Sequence, residues 1–146
     1  MGPVVCATRG GEAGRRTQEQ AVELAREQGR ELIFLAVFDP CSLGHLSDRL
    51  SVAVEREQRW LGRALLSIAR ARARRRGVTV RAVVRCGPVL EAIEAYLREA
   101  DASVLIIGEP KVDSALSAFQ PGRVHNFAER VRQDTGVEVV VVSPEL

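Results

Sequence analysis

The chain has 146 residues, of which 46% are hydrophobic, 4% aromatic and 27% charged, with a formal net charge of +2. That length and balance fit one domain with a core built mostly from Val, Leu, Ile and Ala, and a charge so close to zero gives no electrostatic case for nucleic acid. No apolar run approaches the ~20 residues a bilayer-spanning helix needs, and the opening MGPVVCATRG lacks the charged start and apolar stretch of a secretory signal. Cys6, Cys41 and Cys86 are an odd number with no CxxC, so neither a disulfide framework nor a zinc site is suggested. A cytoplasmic protein with no membrane and no nucleic-acid partner is the resulting expectation.

Residues 4–7 (VVCA) read as a first strand, and residues 8–14 (TRGGEAG) as a glycine-rich turn of the kind used where backbone bends or approaches a ligand. A helix is predicted over 15–28, with Ala21, Leu24 and Ala25 on one face and Gly29 as its stop. Residues 31–38 (ELIFLAVF) form a second strand ended by Asp39-Pro40, and the stretch 41–48 is irregular. A long helix is predicted over 50–76, where Leu61, Ala64, Leu65 and Ile68 make an apolar stripe at i, i+3, i+4, i+7. Its arginine-rich end, Arg70 to Arg76, complements the helix dipole, and no aromatic platform accompanies it as nucleic-acid binding would require.

Residues 78–84 (VTVRAVV) alternate enough to be an edge strand, followed by the turn Arg85-Cys86-Gly87-Pro88. A third helix over 88–100 turns Val89, Ile93 and Leu97 inward. Residues 104–107 (VLII) have the continuous apolar character of a strand buried on both faces. A long polar loop ends at Pro121-Gly122, and Val124, Phe127, Ala128 and Val131 then mark a helix over 123–133. A last strand, 137–142, stops at Ser143-Pro144.

Strict β-α alternation predicts an α/β three-layer sandwich: a five-stranded parallel sheet with helices on both faces. In such a sheet, ligands sit outside the carboxyl ends of the strands, and a helix N-terminus there suits an anion. Arg9, Lys111 and Arg123 fall on loops after the first and fourth strands and would form a cationic mouth; the plainer reading is three solvated charges offset by Glu12, Glu109 and Asp113. Arg15 and Arg16 open the first helix against its dipole, which also suits a nearby anion. His45 and His125 are too far apart in sequence to suggest a metal cluster. There is no GxSxG elbow and no Walker sequence, and RGGEAG misses the first glycine of GxGxxG, so no catalytic set is expected. Cys6 is expected to be buried and inert, and Cys86 the more exposed thiol.

Several pieces in this order resemble the universal stress protein family: the glycine-rich turn after strand 1, Gly87-Pro88 before helix 3, Ala100-Asp101 leading into VLIIG, the Gly122-x-Val124 helix entry and the VVVV run near the end. None is specific alone; their order and spacing are, and they cover nearly the whole chain. The resemblance implies sheet order 3-2-1-4-5 and a homodimer in which strand 5 pairs antiparallel with its copy, here through Val137, Val139, Val140, Val141 and Val142. It also makes ATP or another phosphate-bearing molecule the ligand to consider. The family's ATP binders resemble G-x2-G-x9-G-[ST] after strand 4, with an aspartate just after strand 1. This chain offers Gly108, then Lys111 for the second glycine, Gly122 one residue late for the third, Arg123 for the hydroxyl residue and His125 for a small one; Thr8 or Arg9 stands where the aspartate belongs. The residues matched to the nucleotide or anion site are therefore Thr8, Arg9, Gly10, Gly11, Gly108, Lys111, Gly122, Arg123 and Val124. The expectation is a non-enzymatic stress-response module with a lost or remodelled ATP site. The alternatives are a nucleotide- or anion-binding switch using the same crevice and, less favoured, a nucleotide hydrolase.

Overall fold

The computed structural model describes residues 2–8, 14–39, 48–109 and 123–143. Within them strands and helices alternate: β1 Val4–Ala7, α1 Arg15–Gln28, β2 Leu32–Phe38, α2 Asp48–Arg75, β3 Val80–Cys86, α3 Val89–Glu99, β4 Val104–Gly108, α4 Arg123–Thr135 and β5 Glu138–Val142. The five strands form one sheet in the order β3-β2-β1-β4-β5, with every neighbouring pair parallel. The sheet centre is apolar without interruption: Leu32 to Phe38 are all buried, as are Val4 to Cys6 and Val104 to Ile107. Strands covered on both faces need this continuous character.

Successive side chains in a strand point to opposite faces, and the core divides accordingly. One layer sets Val4, Cys6, Phe34, Phe38 and Ile106 against α1 and α2. The other sets Val5, Ile33, Leu35, Leu105 and Ile107 against α3 and α4, where Ile93, Leu97, Val124, Phe127 and Val131 are buried. Burying each such side chain contributes ~1.5–3 kcal/mol. Between α3 and α4 lies the buried carboxylate of Glu94, which accepts from Arg98 at 3.2 Å and from Arg130 at 3.0 Å.

Two sequence expectations shift. The third strand runs two residues later than 78–84, because all seven β2 residues find partners from Val80 to Cys86. Val78 instead closes α2, its N–H donating to the Ala73 carbonyl, and Cys86 ends the strand rather than sitting in the turn. The larger correction concerns α2. Its inward face is Gly62, Leu66, Ala69 and Ala73, and the stripe of Leu61, Ala64, Leu65 and Ile68 is turned away from it, with Leu61 48% and Ile68 52% exposed. The reason is steric. A Cβ on Gly62 would stand 2.7 Å from the Phe38 ring, so α2 approaches the sheet on the side where Gly62 leaves room for that ring.

Candidate functional site at the carboxyl ends of β1 and β4

Ala7 and Ile107 are register partners in adjacent parallel strands. The residues that follow them, Thr8 and Gly108, therefore emerge side by side on one rim of the sheet. α1 begins beside them after Gly14.

Thr8 is turned toward α1. Its N–H donates to the Leu35 carbonyl at 2.9 Å, and its hydroxyl accepts from Gln18 Nε2 at 3.1 Å. Gly14 lies against the same hydroxyl: a Cβ there would come within 2.6 Å of Thr8 Oγ1. Gly108 ends β4 against Thr17, whose Oγ1 would be 2.6 Å from a Cβ at 108. Glycine is thus required at 108 by the packing of α1 on β4, whatever ligand the rim takes. The next residue, Glu109, donates its N–H to the Val142 carbonyl at 2.8 Å, which carries the β4–β5 pairing past the strand end.

Across the rim, Arg123 is the first residue of α4 and is exposed. Val124 is fully buried among the α4 core residues, so its side chain faces the sheet and only its backbone is available to a ligand. His125 Nε2 stands 3.8 Å from Glu109 Oε1 and joins the start of α4 to the end of β4. Arg15, at the start of α1, pairs with Glu19 at 3.2 Å, an exposed i,i+4 contact that offsets the positive charge there. Arg9, Gly10, Gly11, Lys111 and Gly122 lie outside the described residues.

Thr17 and Gln18, which sequence reading passed over, contribute most to this rim. Both are buried polar residues in the first turn of α1. Gln18 Oε1 is buried with no hydrogen-bond partner among the described residues, and an unpaired buried acceptor costs ~1–3 kcal/mol. The signal was available: Thr17 and Gln18 precede Ala21, Val22 and Ala25 on the apolar stripe of α1 and are the polar members of it. The thiol of Cys6, below the rim, points to the Thr17 carbonyl at 4.0 Å, and complete burial pushes its pKa far up. Cys86 is shifted the same way, by partial burial first, with Arg59 opposing and Glu55 adding to the rise.

A family model described as "Universal stress protein family" matches residues 1–143. No curated protein matches the chain. Among solved structures, a universal stress protein family member from Burkholderia pseudomallei is similar at 25% identity, with a TM-score of 0.68 over 97% of this chain and 96% of that one. A universal stress protein in complex with cAMP is similar at 20% identity, with a TM-score of 0.69 over 99% of this chain and 98% of that one. The universal stress protein from Archaeoglobus fulgidus in complex with dAMP is similar at 20% identity, with a TM-score of 0.65 over 97% and 98%.

Proposed function

Because this chain belongs to the universal stress protein family, we propose that it is a non-enzymatic stress-response module with a remodelled adenine-nucleotide site, acting as a homodimer. The observation that carries this reading is the amide–hydroxyl pair of Gln18 and Thr8 beside β1. Neither residue supplies the carboxylate that the family's ATP binders place after strand 1, and a neutral pair holds a ribose or base less strongly than a charged acceptor does. On the α4 side, Arg123 replaces a small hydroxyl with a fork of donors. Two structural relatives hold adenine monophosphates, cAMP in one and dAMP in the other. A remodelled rim with Arg123 at the N-terminus of α4 suits such a singly phosphorylated ligand better than a triphosphate with its magnesium.

Thermal melts of the full chain with MgATP, AMP, cAMP and no ligand test this, since a ligand that prefers the folded state raises the midpoint. The expected result is no shift with millimolar MgATP and a shift with a monophosphate that Arg123→Ala abolishes. A shift with MgATP that survives Arg123→Ala would overturn the remodelled site, and release of phosphate or AMP would overturn the non-enzymatic assignment.

The homodimer rests on β5, an edge strand rich in valine whose Val140 and Val141 are only half-buried. A long apolar edge invites pairing with another strand. Light scattering is expected to give twice the 16.0 kDa of the chain, and Val140→Lys to give the monomer.

A further inference from the structure

Every large hydrophobic side chain left exposed among the described residues belongs to α2: Leu50, Val52, Trp60, Leu61 and Ile68. Trp60 is 71% exposed. Trp60, Leu61, Ala64 and Ile68, all exposed, form one stripe on the side opposite Gly62, Leu66, Ala69 and Ala73, and the exposed Glu57 separates it from Leu50 and Ala53 nearer the helix start. Single exposed hydrophobics need no explanation, but a contiguous apolar patch marks an interaction surface.

The charge around this stripe is one-sided. Arg49, Arg56, Arg63 and Arg70 recur every seven residues, so they form a row along one flank, and all four are exposed. None of the four has an ion pair among the described residues. α2 as a whole carries eight arginines against Asp48, Glu55 and Glu57, a surplus of five positive charges. The whole chain has a net charge of +2, so the rest of the protein is net negative.

We propose that the outer face of α2 docks on the anionic surface of a lipid bilayer. A helix that presents an apolar stripe beside a cationic flank lies in the interface plane, with its hydrophobic residues at the headgroup–acyl boundary. Arginines at the flank reach sideways to lipid phosphates while their stems stay in the apolar layer. Tryptophan is the side chain that favours that depth. No described helix is long and apolar enough to cross a membrane, and surface docking needs none. A second copy fits less well. Face-to-face antiparallel packing of two α2 helices about a two-fold axis sets the arginine row beside its own copy, and like charges in juxtaposition oppose association. A nucleic-acid duplex would satisfy the arginines but leave Trp60, Leu61 and Ile68 against phosphate.

Trp60 is the only tryptophan in the chain, so its emission reports directly on this face. The experiment titrates the full-length protein with phosphatidylcholine vesicles with and without phosphatidylglycerol, reading tryptophan emission and vesicle flotation. The expected result is a blue shift and flotation with the anionic vesicles, both weakened by added salt. Leu61→Asp with Ile68→Asp, and separately Arg56→Gln with Arg63→Gln, are each expected to weaken binding about tenfold or more with the melting temperature unchanged. Absence of flotation for the wild-type chain, or equal binding to neutral vesicles, overturns the proposal. So does burial of Trp60 with rising protein concentration in the absence of lipid, which would assign the face to a second copy. Tight binding to a DNA duplex that competes the protein off vesicles and survives Leu61→Asp would overturn it in favour of a polyanion site.

Discussion

α2 has two apolar sides that meet different fates. Gly62, Leu66, Ala69 and Ala73 face the sheet, whereas Trp60, Leu61, Ala64 and Ile68 face outward. By side-chain size the outer set is the more hydrophobic, yet the inner set is buried. What decides is fit. The Phe38 ring occupies the space above β2, so the helix can approach closely only on the side where Gly62 leaves room for the ring, as close packing of protein interiors requires. Hydrophobicity proposes a face for a helix, and the volume of the opposing layer selects it.

The sharpest way to break this comparison is to exchange equivalent residues across the helix. Leu66→Ala is expected to cost ~2–5 kcal/mol in urea unfolding, the usual range for a fully buried leucine. Gly62→Ala, which pushes a methyl toward the Phe38 ring, should cost ~1–3 kcal/mol, with much of the loss recovered in a Phe38→Leu background. The same logic holds on the rim, where Gly108→Ala strikes Thr17 and should be eased by Thr17→Ala in a double-mutant cycle.

A smaller effect comes from Cys6. Burial keeps its thiol protonated in the folded chain, while the unfolded chain releases that proton near the ordinary value of ~8.5. The unfolded state then holds fewer protons, so stability falls as pH rises above that value. Cys6→Ala should therefore show a shallower loss of stability between about pH 8.5 and 10. Leu61→Ala and Ile68→Ala are expected to stay within about 0.5 kcal/mol of wild type; a loss like that of Leu66→Ala would mean that the two faces of α2 are assigned in reverse.

Element order and the buried central strands were legible because their signals are local: continuous apolar runs for β1, β2 and β4, and helical spacing for α1, α3 and α4; the strand order came only from the family resemblance. The inward face of α2 was not, since it depends on Phe38, 24 positions upstream of Gly62 and in another element. The limits of β3 were set by β2 rather than by its own residues. At the rim, Thr8, Gly108, Arg123 and Val124 could be placed from motif spacing, but their roles could not. Gly108 is explained by Thr17, Thr8 by Gln18, and Val124 by the core beneath α4. Each of those partners lies in a different element, and only the packed fold brings them together.

The outward position of Trp60 has a practical consequence for anyone measuring the stability of this protein. With its indole already in water in the native state, the usual red shift on denaturation has almost nothing to report, and a flat intensity trace across a urea gradient would be misread as resistance to unfolding. Far-ultraviolet circular dichroism, which follows the helices directly, is the signal to trust.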